Sequence, residues 1–149
     1  MNKLIALLIG VLLLITGCST THKVNTDSTK ELTKELKELS PSIEKVQFTF
    51  TRPNLTYRID MSEEPSKEEL DSILTEIKKF TTVDNMNEIA RSVKWGLEIS
   101  EIYLDLNTDE NTETIEHTYY ARYFKTSDAS DYSDTNIEGY NIWYEINEK

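Results

Sequence analysis

The sequence predicts an α+β domain: one antiparallel sheet of about five strands, helices packed on one of its faces, in the order α-ββ-αα-βββ. Three observations lead there. Apolar residues recur at helical spacing in three short stretches and alternate with polar ones at strand spacing in five others. Turn and capping residues separate these stretches. The strand groups lie on either side of a helical pair, an order that a single sheet covered on one face satisfies most economically.

Taken in order, Ser28 followed by Glu31 has the spacing of a capping box. Leu32, Leu36 and Leu39 then repeat at i, i+4, i+7 along a charged helix that Ser40-Pro41 stops. Val46, Phe48 and Phe50 alternate with polar residues, Arg52-Pro53-Asn54 makes a turn, and Leu55, Tyr57, Ile59 and Met61 alternate again. This is a β-hairpin. Ser66 caps a second helix, with Glu69 three residues on and a stripe of Leu70, Ile73, Leu74, Ile77 and Phe80. A third helix is expected over 85–94, with Ile89, Ala90 and Val93 inward and Gly96 just past its end. Ile102, Leu104 and Leu106 mark the next strand, 107–112 a polar turn, 114–125 a long alternating strand, and 126–135 an acidic, Ser-rich loop. The closing strand, 140–146, places Tyr140, Ile142, Tyr144 and Ile146 on one face.

Before this domain come two segments of different character. Residues 1–17 have the parts of a signal peptide: Lys3 beside the initiator amine, an unbroken apolar run over 4–15, and small residues at the end. Twelve helical residues reach about 18 Å, well short of a ~30 Å hydrocarbon core, so a stable span is not expected. Residues 18–27 comprise Cys18 and a polar stretch, 19–27, that lacks periodicity and reads as a tether, which at nine residues spans at most about 30 Å. Residues 28–149 then form a single domain, with no internal repeat.

The sequence Ile15-Thr16-Gly17-Cys18 resembles the lipobox of bacterial lipoproteins. The resemblance covers only the first 18 residues. It implies a diacylglyceryl group on the Cys18 sulfur, cleavage before Cys18, and attachment to the extracytoplasmic face of the cell membrane. Two acyl chains anchor stably where one binds only marginally. The remainder looks, in overall character, like the small lipoproteins of low-GC Gram-positive bacteria, which implies a location but no functional residue. Cys18 is the sole cysteine, so lipidation leaves no thiol for disulfides or metal ligation.

The formal net charge of −11 deepens by one when Lys3 is removed, and the pI is near 4.6. Nucleic acid is not an expected partner, because phosphates require clustered Lys and Arg. Like-charge repulsion from anionic lipid also leads us to expect a body that stands off the bilayer.

Two constellations bear on function. Asp105, Asn107, Asp109 and Glu116 have the spacing of oxygen ligands in a Ca²⁺ loop of EF-hand type. The loop lacks glycine at its sixth position, where Glu110 stands, and its flanks read as strands. An acidic hairpin turn explains the same residues, so no metal and no cofactor is expected. The C-terminal third also concentrates aromatic residues, more than one sheet face can hide. Alternation points Tyr120, Arg122, Phe124 and Trp143 away from the helices, as an open platform of the residue types that interfaces favour. Cross-strand packing is the structural alternative. His22 lies in the tether, His117 in a strand, and no catalytic motif appears. The sequence therefore points to a lipid-anchored module that binds a protein at the envelope, with glycan or small-ligand binding as the alternative and catalysis less expected.

Overall fold

The computed structural model describes residues 20–111 and 113–146, so the signal segment 1–17 and the lipobox residue Cys18 lie outside the described residues. The fold is α+β. The sheet corrects the expectation in two respects: among the described residues it has six strands, and it is mixed.

The hairpin appears as expected, with β2 (Ile43–Thr51) antiparallel to β3 (Asn54–Met61) in a register that sets Phe48 opposite Tyr57 and Phe50 opposite Leu55. After β3 the chain passes through α2 (Lys67–Phe80) and α3 (Val83–Ser92) and returns as β4 (Glu101–Asn107), parallel to β3. A helical crossover brings the chain back to the end from which the previous strand started, and the next strand must then run the same way. β5 (His117–Arg122) and β6 (Trp143–Ile146) add in antiparallel fashion. The sixth strand is β1 (Thr21–Lys23), drawn from the stretch 18–27 read as tether; it pairs antiparallel with β2 at the opposite edge. Strand order along the sheet follows the chain from β1 to β6. Among the described residues no helix is long and apolar enough to cross a membrane.

Helix starts follow local capping chemistry. α1 (Asp27–Leu39) begins two residues before the expected box, because Thr26 accepts from the Thr29 amide at 3.2 Å while Thr29 Oγ1 accepts from the Thr26 amide at 2.9 Å. Ser28 is thereby free to donate to Glu88 on α3 at 3.1 Å. Ser66 caps α2 as expected, but Glu69 turns away to accept from Ser40 and Ser42 in the α1–β2 connection. Thr82, not a residue at 85, caps α3. That helix ends with Lys94 in the left-handed region at φ 58°, so Gly96 is not its terminator.

All three helices share one core with one sheet face. Leu32, Leu36, Ile73, Ile77, Met86 and Ile89 meet Phe50, Tyr57, Ile59, Ile102, Leu104 and Tyr119 in a single buried cluster. The alternation of β2–β5 sends the intervening residues to the other face, which none of the described helices covers. Leu36 is fully buried while Leu39 is half-buried. Leu36→Ala is therefore expected to cost about 2–5 kcal/mol, and Leu39→Ala clearly less, measured by urea unfolding; equal costs would contradict the docking of α1 by its Leu32/Leu36 face.

Candidate binding face of the sheet

The uncovered face is built from the strand residues that alternate away from the core. Cross-strand pairing sets Tyr103 of β4 beside Tyr120 of β5, and Tyr120 beside Tyr144 of β6. Their rings form a ladder: Tyr103 and Tyr120 stack with centroids 6.2 Å apart at 29°, Tyr120 and Tyr144 at 5.0 Å and 24°. All three are half-buried. Each such aromatic pair contributes about 0.5–1.5 kcal/mol beyond burial of its area.

Polar groups fix both ends of this ladder. Arg122 lies over the Tyr144 ring, its guanidinium carbon 5.3 Å from the centroid, and its Nε donates to Glu138 Oε2 at 3.3 Å. The Glu138 carboxylate is buried, and its Oε1 has no hydrogen-bond partner among the described residues. At the other end Tyr103 donates to Glu101 at 2.6 Å. Burial, reinforced by this acceptor and its charge, pushes the Tyr103 hydroxyl up to about 12. Glu138 reaches its position through a turn with two consecutive left-handed residues, Gly139 at φ 58° and Tyr140 at φ 64°. A non-glycine residue in that region is strained. Tyr140 is held there by a buried ring and a 2.6 Å hydrogen bond from its hydroxyl to the Ile99 carbonyl.

Of the four residues expected on the platform, Tyr120 and Arg122 lie there, and Phe124 and Trp143 do not. The strand expected over 114–125 ends at Arg122, so alternation no longer governs Phe124. Phe124 bridges to Ile137 and is buried against Tyr123 and Tyr132, at 4.8 and 5.3 Å between centroids. Trp143 pairs with Ala121, whose side faces the helices, and it packs against the core. It lines a cleft of about 430 Å³ shared with Lys78, Thr82, Val83 and Tyr140. Tyr144 therefore stands where Trp143 was expected. Sequence reasoning passed over Tyr103, although it sits between the inward Ile102 and Leu104 and so alternates outward. It also passed over Glu138, whose role depends on a turn that no periodicity signals.

The rest of the face is polar. Arg58 pairs with Asp60 at 2.7 Å, and Lys45 lies 3.9 Å from the same carboxylate. Asp105, beside Arg58 in register, accepts from Thr118 at 3.2 Å. Burial pushes its carboxyl above the usual range, against the opposing pull of Thr118 and Arg58.

The four residues spaced like a calcium loop are not gathered around one point. Asp105 is on the open face. Asn107 is buried and donates to the carbonyls of Asn111 and Thr114 at 2.7 and 3.0 Å. Asp109 accepts from the Asn111 amide at 2.7 Å, and Glu116 from the Thr108 amide at 2.8 Å. These side chains shape the hairpin loop. Among the described residues no group of three or more His, Cys, Asp or Glu could hold a metal ion. The acidic loop after β5 is organised in the same way, by Asp128 on Ser130, Asp131 on Ser133, and the buried Asn136 on the carbonyls of Asp128 and Asp131. His117 lies 2.7 Å from Glu64, which also accepts from Thr108 and is held below the usual carboxylate range chiefly by that hydroxyl.

Compared with protein-family models, with curated proteins and with solved structures, the chain matches none.

Because the folded state raises the Asp105 carboxyl, its ionised form opposes folding. That opposition is absent below the unfolded value and appears as pH rises through the folded one. Asp105→Asn is expected to raise the melting temperature at neutral pH and to lose this advantage in acid; a variant destabilised equally at every pH would contradict it.

Proposed function

We propose that this chain is a lipoprotein anchored through Cys18 to the extracytoplasmic face of a cell membrane, and that its body binds a protein partner at the envelope through the uncovered sheet face. The lipobox residues support the anchor. The Tyr103–Tyr120–Tyr144 ladder with Arg122 carries the binding reading, because it concentrates the residue types that dominate interface energetics on a face that no helix covers.

The stacking favours a polypeptide over a glycan. Sugars pack on the flat faces of aromatic rings, and here the ring faces of Tyr120 and Tyr144 are turned to one another and to Arg122. Edges and hydroxyl groups remain for a partner, and they suit backbone and side-chain hydrogen bonding. The neighbouring charges, Arg58, Lys45, Asp60 and Asp105, would set the orientation of the partner more than its affinity.

A photo-crosslinking residue placed at 120 in the full chain, in cells, is expected to give a discrete crosslinked protein that the same residue at Glu35, on α1, does not give. Arg122→Ala should weaken that crosslink, and Cys18→Ala should abolish both fatty-acid labelling and the crosslink. Equal crosslinking from positions 120 and 35, or continued acyl labelling of Cys18→Ala, would overturn the corresponding half of the proposal.

A further inference from the structure

We infer that the corner of the domain formed by Arg52, Arg91, Lys94, Trp95 and Leu97 docks on the surface of the bilayer that holds the anchor, against anionic phospholipid headgroups. This rests on the lipoprotein reading above and replaces the expectation of a body standing off the membrane.

The length of free chain is the first argument. β1 begins at Thr21, so only Ser19 and Thr20 separate Cys18 from a residue paired into the sheet. Three Cα–Cα steps of 3.8 Å reach about 11 Å at most. The ~30 Å tether expected from composition does not exist at that length, and some part of the domain must lie at headgroup level.

The register of β1 says which part. Thr21 pairs with Thr51, their hydroxyl groups 2.8 Å apart, and Arg52-Pro53 follows immediately. The Pro53 carbonyl accepts from the Ser100 amide at 3.0 Å, which brings the loop after α3 to this same end of the sheet. Arg52 lies over the Trp95 ring at 5.4 Å, and Trp95 packs on Phe50 at 5.8 Å. Leu97, 61 % exposed, is the most exposed large hydrophobic side chain among the described residues. Arg52, on the Trp95 ring, and Arg91 and Lys94, at the end of α3, are exposed too. Three cations, a tryptophan and an unburied leucine are what a headgroup region accommodates.

Charge complementarity is the second argument, because this corner is an exception on a strongly acidic chain. The opposite end of the sheet carries Glu63, Glu64, Asp109, Glu110, Glu113 and Glu116. The resulting asymmetry turns the cationic corner toward an anionic surface. The carboxylates at the near end include Glu98, which accepts from Tyr132, Glu101, which accepts from Tyr103, the buried Glu138, which accepts from Arg122, and Asp128, Asp131 and Asp134 of the loop after β5. That loop leaves the sheet three strands from β2, about 14 Å away, and returns to the corner's edge only through the Tyr132 hydroxyl on Glu98. The domain should thus sit tilted, with its β1–β2 side down.

The test uses the full lipidated chain in vesicles of phosphatidylcholine with or without phosphatidylglycerol. Cys18 carries its acyl group, so Leu97→Cys or, as the remote control on α2, Asp71→Cys supplies the thiol for a nitroxide label. With phosphatidylglycerol present, the ratio of oxygen to nickel-chelate collision at position 97 is expected to exceed that at 71 several-fold. High salt or pure phosphatidylcholine should bring it down toward the value at 71. Lys94→Glu should act in the same direction, by about fivefold in partitioning per cation removed; the salt arm needs no substitution. Equal ratios at 97 and 71 on phosphatidylglycerol vesicles, with the acyl group on Cys18 verified by mass, would overturn the docking and leave the lipoprotein reading intact. A Cys18 without acyl chains would overturn both.

Discussion

A sheet buried on one face only is the constraint from which the rest of this structure follows. The crossover through α2 and α3 makes β3 and β4 parallel neighbours at the centre and lays both helices on the side where α1 also docks. Parallel pairs are usually covered on both faces. Here none of the described helices covers the second face, and the central strands alternate between core and open face. Ile59, Leu104 and Tyr119 go to the core, while Arg58, Tyr103 and Tyr120 go outward. The outward aromatics then satisfy one another by stacking, and a buried Glu138 holds the Arg122 that closes the row.

The same constraint explains what could be read from the sequence. Patterns that are local and strongly periodic were legible: the β2–β3 hairpin, the stripe of α2 with its Ser66 cap, and the alternation that exposes Tyr120 and Arg122. What depended on distant pairing was not. The direction of β4 relative to β3 is set by where α3 delivers the chain, and the alternation of Ile102, Leu104 and Leu106 is identical either way. β1 has no apolar alternation to announce it, since it pairs through the backbone and through Thr21 on Thr51. Phe124 was misplaced because face parity carries only as far as the strand does, and β5 stops at Arg122; Trp143 was misplaced because β6 begins only there, after a left-handed turn, and its face is set by pairing with Ala121. Glu138 depends on a left-handed turn at Gly139 and Tyr140, and the second of these residues gives no sign of that conformation.

Acidic side chains of the two long connections are engaged with local backbone. Asp109, Glu116, Asp128 and Asp131 each accept from a nearby backbone amide. Short polar side chains bonding local backbone are what allow two long connections to hold shape without a core of their own. The acidic balance of the chain resides largely in these connections and on the helices. It leaves the open face with mixed charge and the β1–β2 corner with Arg52, Arg91 and Lys94 exposed.

One-sided burial is tested most directly by nitrating the native protein with tetranitromethane and mapping the modified tyrosines by mass spectrometry. Beside the exposed Tyr132 of the loop after β5, Tyr120 and Tyr144 of the open face should react in the native protein. Tyr103 should lag, its hydroxyl being pushed up to about 12 by burial and by Glu101. Tyr57 and Tyr140, buried and with ionisation strongly opposed by that burial, should react only on unfolding. Native-state modification of Tyr57 or Tyr140 with Tyr120 and Tyr144 protected would contradict it.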